Sequence, residues 1–292
     1  MTDDAPKITT EPTAPVATRC GFVALIGAPN VGKSTLVNAL VGSKVTIVSR
    51  KVQTTRALIR GIVIENNAQI ILVDTPGIFL PKRRLDRAMV STAWSGAHDA
   101  DLVCLLLDAK SGIDEEADAI LQKLSTVRHP KILVLNKIDL VPREKLLALT
   151  KALNDRLAFE QTFMVSALSG DGVDDLRRTL AAMVPPGPFH YPEDQMSDAP
   201  MRHLAAEITR EKIFRQLHQE LPYQSTVETD SWTERKDKSV RIEQTIFVER
   251  ESQRKIVLGK GGSAIKSIGA DARKEIAEIL RSKSTRLNSS HI

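Results

Sequence analysis

The sequence has no run of about eighteen apolar residues, so no membrane-spanning helix is expected. It has two cysteines, Cys20 and Cys104, and no CxxC pair, which leaves no disulfide framework and no thiolate metal site. Both lie in apolar, strand-like runs, as buried free thiols in a reducing compartment do. Six histidines are scattered without metal-ligand spacing. Neither charge sign dominates. The 41 basic and 36 acidic residues give a net charge of +5, too mild a surplus to argue for a nucleic-acid partner by itself. There is no internal repeat. The first residues, MTDDAPKITTEPTAPVATR, lack the apolar core of a secretion signal. Their Thr, Pro and Ala content predicts a disordered tail over residues 1–19.

What is present suits a globular chain of two domains: 292 residues, 42% of them hydrophobic. From Gly21 short apolar runs alternate with amphipathic ones. GFVALIG, LIRGIVIE, QIILVDTPG, ADLVCLLLDA, KILVLNKID and FMVSA read as strands, the second and third joined by a turn at Asn66–Asn67. Helices are expected at about 33–41, in EEADAILQKLSTV, in REKLLALTKALNDRL and in GVDDLRRTLAAMV. This alternation predicts an α/β domain with a mainly parallel sheet over residues 20–184. Prolines at 185, 186, 188, 192 and 200 forbid regular structure and mark residues 185–200 as a linker. A smaller α+β unit follows over 201–281: a helix, two alternating strands, then helix, glycine loop and helix.

Gly27-Ala28-Pro29-Asn30-Val31-Gly32-Lys33-Ser34 fits GxxxxGK[ST] between a strand and a helix. In that setting backbone N–H groups wrap phosphates, Lys33 reaches the terminal ones, and the Ser34 hydroxyl ligates Mg²⁺. Asp74-Thr75-Pro76-Gly77 ends a strand. Asp74 is expected in the magnesium's outer shell, and Gly77 N–H is expected to sense the γ-phosphate. Thr54 or Thr55, with Thr55 preferred, would close over Mg²⁺. Either one alone is as readily an ordinary polar loop residue. Asn136-Lys137-Ile138-Asp139 ends a later strand. The Asp139 carboxylate can accept the ring N–H and exocyclic amine of guanine, whereas adenine offers it a lone pair. The Lys137 stem can lie on the base. Ser166-Ala167-Leu168 follows the last strand, where Ala167 N–H can donate to guanine's carbonyl. In this order the motifs point to a guanine nucleotide with Mg²⁺. The residue after DTPG is Ile78, where small signalling GTPases carry a water-orienting glutamine, so slow unaided hydrolysis is expected.

A second glycine-lysine loop, Gly259-Lys260-Gly261-Gly262, lacks GK[ST] and any guanine-reading partner. GxxG between two helices is how a KH module clamps single-stranded nucleic acid. Arg254, Lys255, Lys260 and Lys266 crowd the stretch from Ser252 to Gly269, which has no acidic residue. Ile256, Val257, Ile265 and Ile268 are expected in the core, although KH grooves also place such residues under bases.

With GAPNVGKS, SRKVQTTR at 49–56, DTPG, NKID, SAL and VLGKGGSAIKSIG in order, the chain resembles the Era family, GTPases of bacterial ribosome assembly. The resemblance covers about residues 20–280. It implies a Ras-like P-loop G domain followed by a type II KH domain. It also implies GTP and GDP as ligands, binding near the 3′ end of small-subunit ribosomal RNA, and a role in late small-subunit maturation. A cytoplasmic monomer with loose contact to the inner membrane face is the matching expectation. Relatives link an asparagine placed like Asn30 to a K⁺ ion beside the phosphates. One departure stands out. The family closes its KH fold with a third strand, whereas residues 282–292, within RSKSTRLNSSHI, hold few β-formers and read as a foreign or truncated tail. The alternative is a short strand near Thr285–Leu287. An RNA-binding assembly factor that binds GTP but scarcely hydrolyses it remains the rival reading.

Overall fold

The computed structural model describes residues 17–48, 58–81, 84–217, 224–237 and 239–289. Most of the expected disordered tail therefore lies outside the described residues, as do Thr54 and Thr55. Ordered strand begins at Arg19, within the stretch assigned to the tail.

Six strands form one sheet: β1 (Arg19–Ile26), β2 (Ile59–Glu65), β3 (Ala68–Asp74), β4 (Leu102–Asp108), β5 (Lys131–Asn136) and β6 (Gln161–Val165). The order is β2-β3-β1-β4-β5-β6, and only β2 runs antiparallel. β2 and β3 meet at a two-residue turn, where Asn66 takes φ 53°. β3 is buried along its whole length, so an alternating pattern could not have marked it. Helices α1 (Lys33–Val41), α2 (Arg84–His98), α3 (Glu115–Leu124), α4 (Arg143–Asn154) and α5 (Val173–Met183) connect the strands. Asp114 caps α3 by accepting from Ala117 N at 2.8 Å, with Glu115, Glu116 and Asp118 in its first turn. No helix was expected where α2 lies. It follows Pro81 and a basic cluster, and it packs Ala93, Trp94 and Ala97 into the core.

Register aligns the carboxyl ends. Leu25 pairs with Asp74, Asp108 with Asn136, and Asn136 with Val165. The loops after β1, β3, β5 and β6 therefore leave one edge of the sheet, where ligands bind in open α/β folds. Both cysteines are buried and free. Burial pushes the Cys104 thiol up to about 12 and also raises that of Cys20.

The proline-rich segment is strapped to the sheet. Cys20 N donates to Pro185 O and Ile62 N to Met196 O, each at 2.9 Å. Gln69 accepts from His190 N and Tyr191 N and donates to Tyr191 O. Arg60 closes on Asp198 at 2.9 Å.

The second unit contains α6 (Met201–Gln216), the antiparallel pair β7 (Ser225–Glu234) and β8 (Val240–Val248), α7 (Glu251–Leu258) and α8 (Ser263–Ser289). Its sheet has two strands among the described residues. α8 continues as helix to Ser289, so Thr285–Leu287 is not the short strand considered above. Among the described residues no helix is long and apolar enough to cross a membrane.

The two units share a core. Ile47, from the segment after α1, is 1% exposed and packs with Leu204, Ala205, Ile208, Ala272 and Ile276 of the second unit. Burying such a side chain contributes about 1.5–3 kcal/mol. Around it Lys44, Lys212 and Arg215 converge on Glu211, which is fully buried, and Glu275 also pairs with Lys44 and Lys212.

Candidate nucleotide site and a second glycine loop

Gly27–Gly32 turn from β1 into α1. Gly32 takes φ 100°, and a Cβ there would lie 2.3 Å from Asn136 Nδ2, so the position admits glycine alone. Lys33 folds back over the loop, donating to Gly27 O and Ala28 O at 2.9 Å. Burial lowers its pKa to about 8, against the opposing pull of Asp74. Asn30 is exposed with φ 62°. Ser34 Oγ donates to Asp74 Oδ2 at 2.8 Å. Asp74 and Thr75 are fully buried, and Thr75 Oγ1 donates to Leu25 O at 2.6 Å. Pro76 is buried, Gly77 sits beside Pro29, and Ile78 N donates to Gly27 O at 3.0 Å. The Ile78 side chain points into the core, 6% exposed, and offers nothing that could hold a water.

On the far side Asn136 is a strut. Its Nδ2 donates to Val31 O at 2.8 Å, and its Oδ1 accepts from Ala167 N at 3.0 Å. The N–H expected to serve guanine is thus engaged by Asn136, because register sets β5 and β6 side by side at this point. Lys137 takes φ 65°, and its Nζ reaches Asn30 O and Asp108 Oδ2, both at 2.7 Å. Its stem therefore crosses from β5 to the first loop. Asp139 is exposed in the short 3₁₀ turn Ile138–Leu140. Ser166 is buried, and Leu168 is 86% exposed.

These groups surround one cavity of about 860 Å³, lined by Asn30, Lys33, Ser34, Asn136, Lys137, Asp139 and Ala167 among others. It is large enough for a drug-sized ligand or a nucleotide. Ile47, Val48, Phe214 and Arg215 also line it, the last two from the second unit.

The second loop joins α7 to α8. Gly259, Gly261 and Gly262 all have positive φ, and a Cβ on Gly259 would meet Ala264 at 2.8 Å. Arg254, Lys255, Lys260 and Lys266 are exposed, with Arg254 paired to Glu251 at 3.2 Å. Val257 and Ile268 are core, 4% and 1% exposed. Ile256 and Ile265 are not: both are exposed, as are Leu258 and, on β8, Phe247. The loop thus carries both cations and an apolar border.

A protein of Bradyrhizobium diazoefficiens named GTPase Era is 86% identical over 267 residues, 91% of this chain and 87% of that protein. The chain belongs to the Era GTPase family. GTPase Era of Afipia carboxidovorans is 79% identical over 280 residues, covering 96% of this chain and 89% of its own length. Family models match in both units: a 50S ribosome-binding GTPase over residues 22–137 and a KH domain over 220–289. The fold is that of a Ras-like G domain followed by a KH domain. Among solved structures, an Era in complex with MgGDPNP and nucleotides 1506–1542 of 16S ribosomal RNA superposes with a TM-score of 0.85. It is 37% identical and covers 90% of each chain. A point variant of Aquifex aeolicus Era bound to GDP·AlF₄⁻ gives the same values. GTP hydrolysis is the reaction of this family.

Nothing in the family's nucleotide motifs marks Thr46, Phe214 or Arg215, yet each stands at the site. Thr46 Oγ1 donates to Asp74 Oδ2 at 3.0 Å. Arg210 lies 5.3 Å from the Phe214 ring centroid and helps to fix that wall.

Proposed function

We propose that the chain is a GTP-hydrolysing switch that binds small-subunit ribosomal RNA near its 3′ end and assists maturation of that subunit. The observation that carries this reading is the shared edge of the sheet. It brings Gly27–Ser34, Asp74–Gly77, Asn136–Asp139 and Ser166–Leu168 around one cavity whose wall the KH unit completes. Guanine would be chosen by the Asp139 carboxylate, with the Lys137 stem along the base and the phosphates in the first loop under Lys33.

The donor set fits Mg²⁺: a hydroxyl and a buried carboxylate, both hard oxygen donors, meet beside the phosphate loop. Ser34, and Thr54 or Thr55, would ligate the ion directly, and Asp74 would hold it through water. When bound, magnesium neutralises phosphate charge. The chain's own part is to hold the carboxylate and to place Lys33 at the phosphates.

Because Ile78 is buried and cannot orient water, unaided turnover would be slow, and Asn30 would be the residue to hold a K⁺ ion whose charge could stand in for an arginine finger at the phosphates. Phosphate release measured in K⁺ and in Na⁺ tests this, and equal rates contradict it. The relative crystallised with 16S ribosomal RNA supports an RNA partner, and the charged glycine loop makes Arg254, Lys255, Gly259–Gly262 and Lys266 the proposed contacts. Crosslinking to small-subunit RNA with and without GTP tests it. Nucleotide-dependent crosslinks through the second loop are expected, and crosslinks confined to the G domain contradict the assignment. The rival, a GTP-gated RNA binder with negligible hydrolysis, is favoured by Ile78 alone. It is excluded if small ribosomal subunits stimulate phosphate release.

A further inference from the structure

Among the described residues Asp74 Oδ2 accepts two hydroxyls, and the nucleotide motifs account for one. Ser34 belongs to the phosphate loop. Thr46, which donates at 3.0 Å, lies past the end of α1 at Val41 and in no nucleotide-binding motif. It is 1% exposed. Its backbone is fixed independently of Asp74. Asn38 Oδ1 accepts from Val45 N at 2.9 Å and Thr46 N at 3.1 Å, while Asn38 Nδ2 donates to Thr46 O at 2.8 Å. Further along, Val48 N donates to Glu211 Oε1 at 2.9 Å, so the KH unit holds the same segment from the other side. Thr46 is thus a rigidly mounted donor aimed at a carboxylate.

The terminal torsion of an aspartate is broad, so a single donor leaves the carboxylate room to rotate. Two donors on one oxygen, from α1 and from the segment after it, fix the plane. We propose that Thr46 is a positioning residue for Asp74: its hydroxyl holds the carboxylate in the orientation that retains Mg²⁺ with guanine nucleotide. Thr46 acts through Asp74. This rests on the reading of Ser34 and Asp74 as a magnesium–nucleotide site. Groups that orient a metal site from one shell out are typically worth about 10–100-fold in metal affinity.

The test uses the full chain and its Thr46→Val and Thr46→Ser variants. Valine keeps shape and burial but removes the donor, and serine restores it. Release of a fluorescent GDP is followed across a Mg²⁺ titration and in EDTA, beside the melting temperature. Thr46→Val is expected to need about 10–100-fold more Mg²⁺ than wild type to slow release, with an unchanged rate in EDTA. Thr46→Ser is expected to follow wild type. A lowered melting temperature with wild-type Mg²⁺ dependence overturns the proposal, because Thr46 is then structural only. If Thr46→Val does not fold, Thr46→Ala, which removes the same hydroxyl, is held to the same expectation. A wild-type protein whose GDP release ignores Mg²⁺ overturns the magnesium reading itself, and the role of Thr46 with it.

Discussion

Lys44 Nζ lies 2.6 Å from Glu211 Oε2, joining the segment behind α1 to the first helix of the KH unit. Glu211 is fully buried and also receives Lys212, Arg215 and Val48 N, so it is the hub of the junction. Removing one partner of a buried ion pair costs about 3–5 kcal/mol, because the remaining charge is left uncompensated. Glu211→Gln takes the carboxylate from Arg215 and leaves Lys44 and Lys212 to share Glu275, whereas Lys44→Met leaves two carboxylates still served by Lys212. The first change is therefore expected to destabilise the KH unit more than the second. Their double-mutant cycle should show a coupling of about 1 kcal/mol or more. Trp232 packs in this cluster and Trp94 in the other core, so denaturation followed by Trp232 fluorescence in a Trp94→Phe background reads the junction. Additive single effects contradict the arrangement.

Lys33 gives the nucleotide site a pH signature. Burial lowers its pKa to about 8. Phosphates favour the charged lysine, so its pKa is higher in the complex. Below pH 8 the lysine already carries its proton and affinity is flat. Above pH 8 binding draws in a proton, and affinity falls by up to about tenfold per pH unit until the pKa of the complex is reached. The effect on folding of the free protein has the opposite sign. Between about 8 and the ordinary value of 10.5 the unfolded chain holds more protons, so stability rises with pH. Calorimetry at pH 9 in buffers of different ionisation heat should report proton uptake on GDP binding, and little at pH 7. No uptake at pH 9 contradicts the buried lysine.

Asn136 is expected to matter without choosing the base. Asn136→Ala removes two hydrogen bonds in a buried setting and strands Val31 O and Ala167 N, a loss of about 2–4 kcal/mol. Thermal unfolding should show that loss. GDP binding should weaken, while the ratio of GTP to ATP affinity changes little. A large change in that ratio would mean that Asn136 itself reads the base.

How much of this was legible depends on range. The phosphate loop, DTPG and NKID are local patterns whose chemistry fits within a few residues, and they read directly. The β2–β3 hairpin read from its Asn66–Asn67 turn. Thr46 and Glu211 did not read, because a threonine that meets Asp74 and a glutamate that meets Lys44 owe their roles to contacts set by the fold. Ile256 and Ile265 misled because apolar character does not say which face of a helix is covered. Only the packing of Val257 and Ile268 settles that.

The KH loop should bind RNA chiefly through charge. Lys260→Ala and Lys266→Ala are each expected to weaken RNA binding across sequences and to reduce the salt slope by about one, leaving GTP affinity unchanged. Filter binding over a salt series checks this, and an unchanged slope places the phosphate contacts elsewhere.

Purine choice is the most direct test. Calorimetric titration of wild type and Asp139→Asn with GTP, ATP and XTP should give GTP at least about a hundredfold tighter than ATP on wild type. The asparagine variant should lose that preference and favour XTP, whose carbonyl accepts the new amide. Equal affinity of wild type for ATP and GTP, or no binding of either, would contradict the site and the switch built on it.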